Sequence, residues 1–252
     1  MHSLYWAPPL FFVIALVFSM LGMGGSQLYI PVLFWLGMDF KTEAIPLGML
    51  LNVVNSGSAA ITYARKGLIA WSVAVPFAVT MIGFAPVGVW LNVRLPVKPL
   101  LAFFALFTAT AAVLMLSGWK PRRGSLSPRE RTALGLAAGG GLGLIAGLIG
   151  RGGGSFVVPL LYMAGLEARN AAATSAFVVT CSGLSSFVSH LTTAAHPQWG
   201  VWIATVMAVL LGSQIGSRLM AERLKSSAVR RLFGGVLLGV AALILIKDVW
   251  LG

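Results

Sequence analysis

The chain consists mainly of long apolar stretches separated by short polar or glycine-rich breaks. The apolar stretches fall at about residues 8–22, 26–38, 44–62, 69–92, 99–117, 132–149, 155–166, 171–193, 199–220 and 228–249. They are continuous rather than alternating, which favours helices over the strands of a membrane barrel. Because a helix needs about 20 apolar residues to cross a bilayer, we predict that six of these stretches are full spans.

The other four stretches form two pairs, each joined at a glycine cluster. The pairs are 8–22 with 26–38 and 132–149 with 155–166, and each contains a member too short to span a bilayer. Such a pair is expected to form a re-entrant or broken helical hairpin whose tip lies inside the membrane. Irregular backbone at that depth has to be buried in protein or line a cavity.

Both glycine clusters belong to a block that occurs twice, 128 residues apart. The copy at residues 22–44 reads GMGGSQLYIPVLFWLGMDFKTEA, and the copy at 150–172 reads GRGGGSFVVPLLYMAGLEARNAA. Glycine-broken segments in corresponding positions of two membrane halves point to a transporter binding site. We therefore predict membrane repeats at residues 1–117 and 132–252, joined by a basic cytoplasmic linker at 118–131.

Composition agrees with a membrane protein. The residues are 58% hydrophobic and only 10% charged, whereas a soluble domain carries about 25% charged residues. The net charge of +12 does not indicate nucleic acid as a partner, because the basic residues lie at segment ends, where they anchor membrane helices. Cys181 is the single cysteine, which excludes an intrachain disulfide and a cysteine-based metal site.

The basic residues also predict the topology of this polytopic all-α protein. If neither glycine-broken pair makes a net crossing, thirteen of the 18 Lys and Arg residues lie on the side of the 118–131 linker. If each pair crosses once, the two sides carry nearly equal numbers, so the positive-inside rule favours the first topology. Each repeat then holds one hairpin and three spans. The repeats are inverted, both termini face the periplasm, and the two tips approach each other near the midplane.

The two glycine tips are the candidate substrate site. Glycine permits close approach of a ligand, and the helix after each tip presents free N–H groups and a positive dipole end, which favours an anion. Arg151 adds a charge that is costly in a membrane and therefore marks function. Two alternatives stay open: the glycines let helices cross tightly, and Arg151 pairs with a neighbouring carbonyl. The candidate tip residues are Gly24, Gly25, Ser26, Arg151, Gly152, Gly153, Gly154 and Ser155.

Neutral polar residues on later helices add hydrogen-bonding groups. Asn52 and Asn55 are three residues apart and share one face of a predicted helix. Thr174 and Ser175 are predicted to open the corresponding helix of the second repeat, where hydroxyls cap well, and Gln214 lies on a later span. These residues either line an anion path or bond across helices as structural glue.

The sequence lacks the patterns of several other classes of protein. Its carboxylates lie at segment ends, so no proton relay through the membrane core is evident. The sequence also contains no GxxxxGK[ST] loop, the motif that would indicate ATP hydrolysis. We predict no enzyme, no catalytic residue, no metal site and no cofactor. The expected partners are a small anionic substrate and the lipid bilayer, and a homodimer stays open.

The doubled block resembles the sulfite exporter TauE/SafE family of membrane transporters. The resemblance rests on the two glycine clusters, each with a proline seven residues on (Gly24 to Pro31, Gly152 to Pro159), and on the connections at 65–71 and 230–234. It covers nearly the whole chain. It implies a bacterial inner-membrane permease that exports small sulfur-containing anions such as sulfite or sulfoacetate, working by alternating access. The alternative is an anion channel or an importer of another small organic anion.

Overall fold

A computed structural model describes residues 6–92, 106, 109, 112, 113, 116, 117, 128–149, 154–191 and 199–244. Every regular element in these ranges is a helix, which confirms the prediction of an all-α protein. A single π-helical turn, Phe40–Ala44, leads into the third α-helix. The α-helices are α1 Ala7–Leu21, α2 Ser26–Trp35, α3 Ile45–Arg65, α4 Trp71–Asn92, α5 Pro128–Ile149, α6 Gly154–Met163, α7 Ala168–Leu191, α8 Trp199–Glu222 and α9 Ser226–Ile244.

Nine of the ten predicted apolar stretches coincide with these helices, and the tenth, 99–117, lies largely outside the described residues. By length and composition, three described helical segments are able to cross a membrane: Thr42–Arg65, Ala168–Val188 and Trp199–Glu222. Helices α1 and α2 have 15 and 10 residues. At 1.5 Å per residue they reach only about 22 and 15 Å, less than the hydrocarbon thickness of about 30 Å.

Helix boundaries recur at the spacing of the sequence repeat. Helix α1 ends at Leu21 and α5 ends at Ile149, 128 positions later. Helix α6 begins and ends 128 positions after α2. Helix α8 begins at Trp199, which is 128 positions after the start of α4 at Trp71. The duplicated sequence is therefore folded into duplicated elements.

The helices pack through two glycine-lined crossings on either side of a central pair. Helix α1 packs against α8, α4 packs against α5, and α3 packs against α7 between them. In α8, Gly212 and Gly216 lie against backbone carbonyls of α1, and in α5, Gly139 and Gly143 lie against backbone of α4. Small residues allow membrane helices to approach this closely. Added side chains at these four positions would separate the helices.

Outward-facing surfaces of the bundle are apolar. Side chains such as Val79, Ile203 and Leu211 are exposed, while the buried core includes Phe11, Tyr63 and Phe77. Large exposed apolar surface indicates contact with a membrane or a partner. Together with the three segments long and apolar enough to span a bilayer, it indicates a membrane-embedded protein.

At one end of the bundle, side chains tie the ends of α3, α7 and α8 together. The Lys66 Nζ lies 2.9 Å from Glu222 Oε1, and both side chains are half exposed. The guanidinium of Arg169, in the first turn of α7, donates to the carbonyl of Ala221. The Asn170 amide donates to the Leu68 carbonyl over 3.0 Å. This end therefore joins the two halves of the sequence by polar contacts.

One boundary prediction was wrong. Thr174 and Ser175 do not open α7, because that helix begins at Ala168 and both residues lie within its second turn. The run Ala171–Ala173 explains the difference, since alanine has the highest helix propensity and extends the helix toward its N-terminus. The two hydroxyls are consequently free to bond to other elements rather than to their own helix end.

Candidate functional site

The first glycine tip is a short left-handed turn between α1 and α2. Gly22 closes α1 with φ +67°, and Gly24 and Gly25 follow with φ +79° and +102° before α2 begins at Ser26. Only glycine adopts such angles readily. The sequence therefore breaks the helix at this point and restarts it within five residues.

Each of these three glycines also lies too close to a neighbour to carry a side chain. A Cβ on Gly22 would overlap the carbonyl oxygen of Ala172 in α7, and a Cβ on Gly24 would overlap the amide of Asn52 in α3. A Cβ on Gly25 would lie 2.7 Å from the ring of Tyr29. The tip is thus wedged between α3 and α7, the two central helices.

Two asparagines of α3 hold the backbone of the tip. Both are fully buried. The backbone N–H of Ser26 donates to Asn52 Oδ1 over 3.2 Å. The Asn55 Nδ2 donates to the Gly24 carbonyl over 2.6 Å and to the Tyr29 hydroxyl over 3.1 Å. Asn52 and Asn55, predicted to share a helix face, therefore meet at the residues Gly24–Ser26 that were predicted as a site.

Of the two hydroxyl residues in α7, one reaches the tip. Ser175 Oγ donates to the Gly22 carbonyl over 2.8 Å. Thr174 Oγ1 instead accepts a hydrogen bond from the Ala70 N–H over 3.0 Å, where the chain leads into α4. The structure thus brings Ser175 to the site and assigns Thr174 to a connection between the two halves.

Gln214 and its neighbours on α8 bond along α3 rather than to the tip. Gln214 Nε2 donates to Ser58 Oγ over 2.6 Å, and Ser213 Oγ donates to the Asn55 carbonyl over 2.7 Å. Ser217 lies 3.3 Å from the Thr62 hydroxyl. These contacts correspond to the interpretation of the polar residues as glue between helices, although Ser213 attaches α8 to the same turn of α3 that holds the tip.

The second glycine tip lies outside the described residues, which include none of Gly150, Arg151, Gly152 and Gly153. Helix α6 begins at Gly154, and of Ser155 the backbone is described as helical. The roles predicted for Arg151 and its neighbours therefore stay predictions. Most of the predicted linker, residues 118–127, is also outside the described residues.

One buried tyrosine at the site, Tyr29, and a second beside α1, Tyr63, were not predicted from the sequence. Tyr29 is fully buried, and its hydroxyl accepts from Asn55. Tyr63, also fully buried, donates to the carbonyl of Ser19 near the end of α1 over 2.6 Å. A buried tyrosine hydroxyl needs a hydrogen-bond partner. Each tyrosine lies inside an apolar segment, and this position was the sequence feature that could have indicated a hydrogen bond from its hydroxyl to another helix.

Among the buried atoms near the tip, Asn52 Nδ2 and Asn55 Oδ1 have no hydrogen-bond partner within the described residues. Buried polar atoms are nearly always paired with protein, water or a ligand. The two asparagines therefore present one unused donor and one unused acceptor. Within the same described ranges, no group of three or more His, Cys, Asp or Glu side chains is arranged to hold a metal ion.

Comparison with known proteins assigns a family to almost the whole chain. The sequence profile of the family described as "Sulfite exporter TauE/SafE" matches residues 8–244. A "Probable membrane transporter protein" of Xylella fastidiosa strain Temecula1 is 29% identical over 238 residues, which cover 91% of this chain and 90% of that protein. These similarities indicate a membrane transporter rather than an enzyme.

Similar proteins occur in other organisms. A "Probable membrane transporter protein" of Sinorhizobium fredii is 27% identical over 239 residues, covering 92% of this chain and 94% of its own. Another, of Methanocaldococcus jannaschii, is 24% identical over 255 residues, covering 93% and 92%. The matches span both copies of the glycine block, so the similarity concerns the whole two-part architecture.

Proposed function

Because the chain belongs to the sulfite exporter TauE/SafE family, we propose that it is a secondary transporter that exports small sulfur-containing anions such as sulfite or sulfoacetate. The observation that carries the proposal is the first glycine tip. It is an irregular turn held by buried asparagines inside an apolar bundle, and two of the amide atoms beside it are unused. Irregular backbone at membrane depth is typical of transporter substrate sites.

We propose that the two repeats, residues 1–117 and 132–252, are inverted, and the packing supports a two-fold relation between them. Exchanging the two repeats replaces α1 by α5 and α8 by α4. The crossing of α1 with α8 then corresponds to the crossing of α5 with α4. In the same way the α2–α3 contact becomes α6–α7, and α3–α7 maps onto itself. All of these contacts occur. The short helices α1 and α2 fit a re-entrant hairpin, with both termini on the periplasmic side of the inner membrane.

In this arrangement the anion binds near the midplane, between the two tips. The first tip supplies the N-terminus of α2 and the Asn52 amide, and the second supplies Arg151 with Gly152, Gly153, Gly154 and Ser155. Alternating access then consists of rocking of the repeats around the bound anion. An inside-negative potential favours anion export by about 2.3 kcal/mol per charge per 100 mV, so export needs no coupling carboxylate.

The test is uptake of labelled sulfite and sulfoacetate by proteoliposomes that contain the purified protein, under an imposed membrane potential. We expect saturable flux that responds to the potential and collapses in Arg151→Ala. The matched control is Arg65→Ala, which removes an exposed charge at the end of α3 and should leave flux unchanged. Flux that survives Arg151→Ala would remove Arg151 from the site. Unitary currents would indicate a channel, and no flux under any gradient would contradict the proposed substrates.

A further inference from the structure

Helices α3 and α8, which belong to different repeats, are joined by a line of polar contacts. The contacts follow successive turns of both helices, from the turn of α3 that holds the first tip to the exposed end of the bundle. This α3–α8 ladder consists of Asn55 with Ser213, Ser58 with Gln214, Thr62 with Ser217 and Lys66 with Glu222. From its first rung to its last, α3 rises about 16 Å, half of the hydrocarbon thickness of about 30 Å. The ladder therefore has the length that separates a tip near the midplane from one membrane surface.

Helix α8 contacts its two neighbours in different ways. Toward α1, Gly212 and Gly216 lie against backbone carbonyls, which a Cβ at either position would overlap. Toward α3, Ser213 and Ser217 are fully buried and bond through their hydroxyls. Close backbone packing is lost when helices separate, whereas a hydroxyl that leaves its partner can bond to water instead. The α3 side of α8 is therefore the side suited to open into a water-filled path.

The exchange of repeats relates the ladder to an interface that is not polar in the same way. It maps α3 with α8 onto α7 with α4, which also pack together. The α4 residues that correspond to the serine and glutamine residues of the ladder are Ala85, Pro86 and Val89. Side chains of these types neither donate nor accept hydrogen bonds. In the proposed inverted arrangement these positions lie in the opposite half of the membrane, so the ladder distinguishes one side of the substrate path from the other.

The start of α7 shows the same inequality independently of the ladder. Asn170 and Thr174 bond to the connection between α3 and α4, at the end of the bundle where the ladder ends. Their counterparts in the first repeat are Thr42, which bonds to Asp39 within its own segment, and Pro46, which has no polar side chain. Two separate elements thus place polar contacts between the repeats at this one end.

We infer that the α3–α8 ladder is the inner gate of the transporter and that the gate is closed in this structure. An anion reaches the first tip from the cytoplasm after α8 has moved away from α3, and the polar groups of the ladder then face water. Polar residues inside a membrane protein commonly face such a cavity. The inference rests on the proposed function, whose topology places this end on the cytoplasmic side. A ladder that only holds the fold together would stay closed throughout transport.

The first experiment measures opening of the gate without any substrate. Cys181, the single cysteine, is replaced by alanine, and Ser217→Cys then places a thiol at a position that is fully buried in this structure. A membrane-impermeant maleimide is added to membrane vesicles of either orientation. We expect labelling from the side of the 118–131 linker and none from the other side. Labelling from the other side alone, or no labelling of a protein that is labelled after unfolding, would overturn the gate.

The same reporter measures the effect of removing one rung. Gln214→Leu removes the hydrogen bonds of the amide to Ser58, and we expect labelling to become about threefold faster, which corresponds to one average hydrogen bond between membrane helices. The matched control is Thr205→Val, because the buried Thr205 hydroxyl bonds to carbonyls of its own helix α8. Equal labelling rates in the two variants would contradict a gate held by the ladder.

The second experiment locks the gate. In the Cys181→Ala background, Thr62→Cys and Ser217→Cys place two sulfurs where the wild-type oxygens lie 3.3 Å apart, within reach of a disulfide after a small shift. The probe is labelled sulfoacetate in proteoliposomes, because sulfite itself cleaves disulfides. We expect flux to fall in proportion to the crosslinked fraction and to return on reduction, while each single-cysteine variant keeps its flux under oxidation. Full flux through crosslinked protein would overturn the gate.

The two experiments separate failure of the gate from failure of the proposed function. Labelling needs no substrate, so it decides on the gate even if the protein moves neither sulfite nor sulfoacetate, a result that would overturn the proposed substrates alone. Flux that is unaffected by a complete crosslink between positions 62 and 217 keeps the proposed function and overturns the gate.

Discussion

The central helices α3 and α7 occupy corresponding places in the two repeats, yet they treat the first glycine tip differently. Helix α3 reaches it with the side chains of Asn52 and Asn55. The corresponding residues of α7, 128 positions on, are Thr180 and Gly183. Thr180 donates to the Ala176 carbonyl within its own helix, and Gly183 provides space for the Asn52 amide. The duplicated backbone has thus been kept while the polar side chains have become unequal.

The same inequality appears where α7 touches the tip. Ser175 donates to the Gly22 carbonyl, whereas its counterpart in α3 is Leu47, which has no group to donate. Each central helix therefore contributes at least one side-chain hydrogen bond to the first tip. The first tip is therefore held by side chains from both repeats.

The largest effect is expected where α7 supports the tip with its backbone. Gly22→Ala would place a Cβ against the Ala172 carbonyl at a left-handed φ of +67°. The left-handed conformation costs about 1–2 kcal/mol, and overpacking adds about 1–3 kcal/mol. Thermal unfolding of the detergent-solubilised protein should show severe destabilisation or loss of folded protein.

The control for this change is Gly37→Ala, because Gly37 has a left-handed φ of +97° and open space around its Cα. It carries the conformational cost alone, about 1–2 kcal/mol. Equal destabilisation by the two substitutions would mean that the approach of α7 to Gly22 contributes nothing.

The second largest effect is expected at Gly183 of α7, which packs closely against α3. Gly183→Ala would bring a Cβ within 2.8 Å of Asn52 Nδ2 and 3.2 Å of a Val53 methyl, which should destabilise the fold by about 1–2 kcal/mol after the gain in helix propensity. Gly57→Ala, on the α3 side, would meet a Thr180 methyl at 3.3 Å and should be nearly neutral. Unfolding temperatures of the pair measure the difference, and a reversed order would refute the asymmetry.

A smaller effect compares the hydrogen bonds of the two helices directly. Asn55→Leu leaves the Gly24 carbonyl and the Tyr29 hydroxyl without this partner. Hydrogen bonds between membrane helices contribute about 0.6 kcal/mol each on average, so we expect a loss of about 1 kcal/mol. Thr180→Val removes only a hydrogen bond within α7, so its loss of stability should be a few tenths of the loss expected for Asn55→Leu. Chemical or thermal unfolding of both variants would show equal losses if α3 had no special role.

The sequence was sufficient to predict most of the framework but only part of the site. Continuous apolar stretches and the 128-residue repeat predicted the helices, since both depend on local composition. The spacing of Asn52 and Asn55 predicted a shared face, but nothing in it indicated that this face meets Gly24 and Ser26. That contact depends on how α2 folds back along α3, which is a tertiary property.

Contacts made by backbone were beyond prediction. The Ala172 carbonyl packs against Gly22, yet an alanine inside an alanine-rich run has no side chain that would mark it. The start of α7 was misplaced for a related reason. Thr174 and Ser175 are residue types that often cap helices, but the preceding alanines extend the helix N-terminal to them. Polar residues are evident in an apolar sequence, but their partners are not.

The smallest effect is expected at the exposed ion pair between the two halves at one end of the bundle. Lys66 of the first half and Glu222 of the second lie 2.9 Å apart and half exposed, and such pairs are screened by water and salt. Lys66→Ala and Glu222→Ala should leave the unfolding temperature and its salt dependence unchanged. The Arg169 contact to Ala221 persists in both variants and keeps α7 attached to α8. A marked loss of stability at low salt in either variant would mean that this ion pair, rather than the buried tip, holds the halves together.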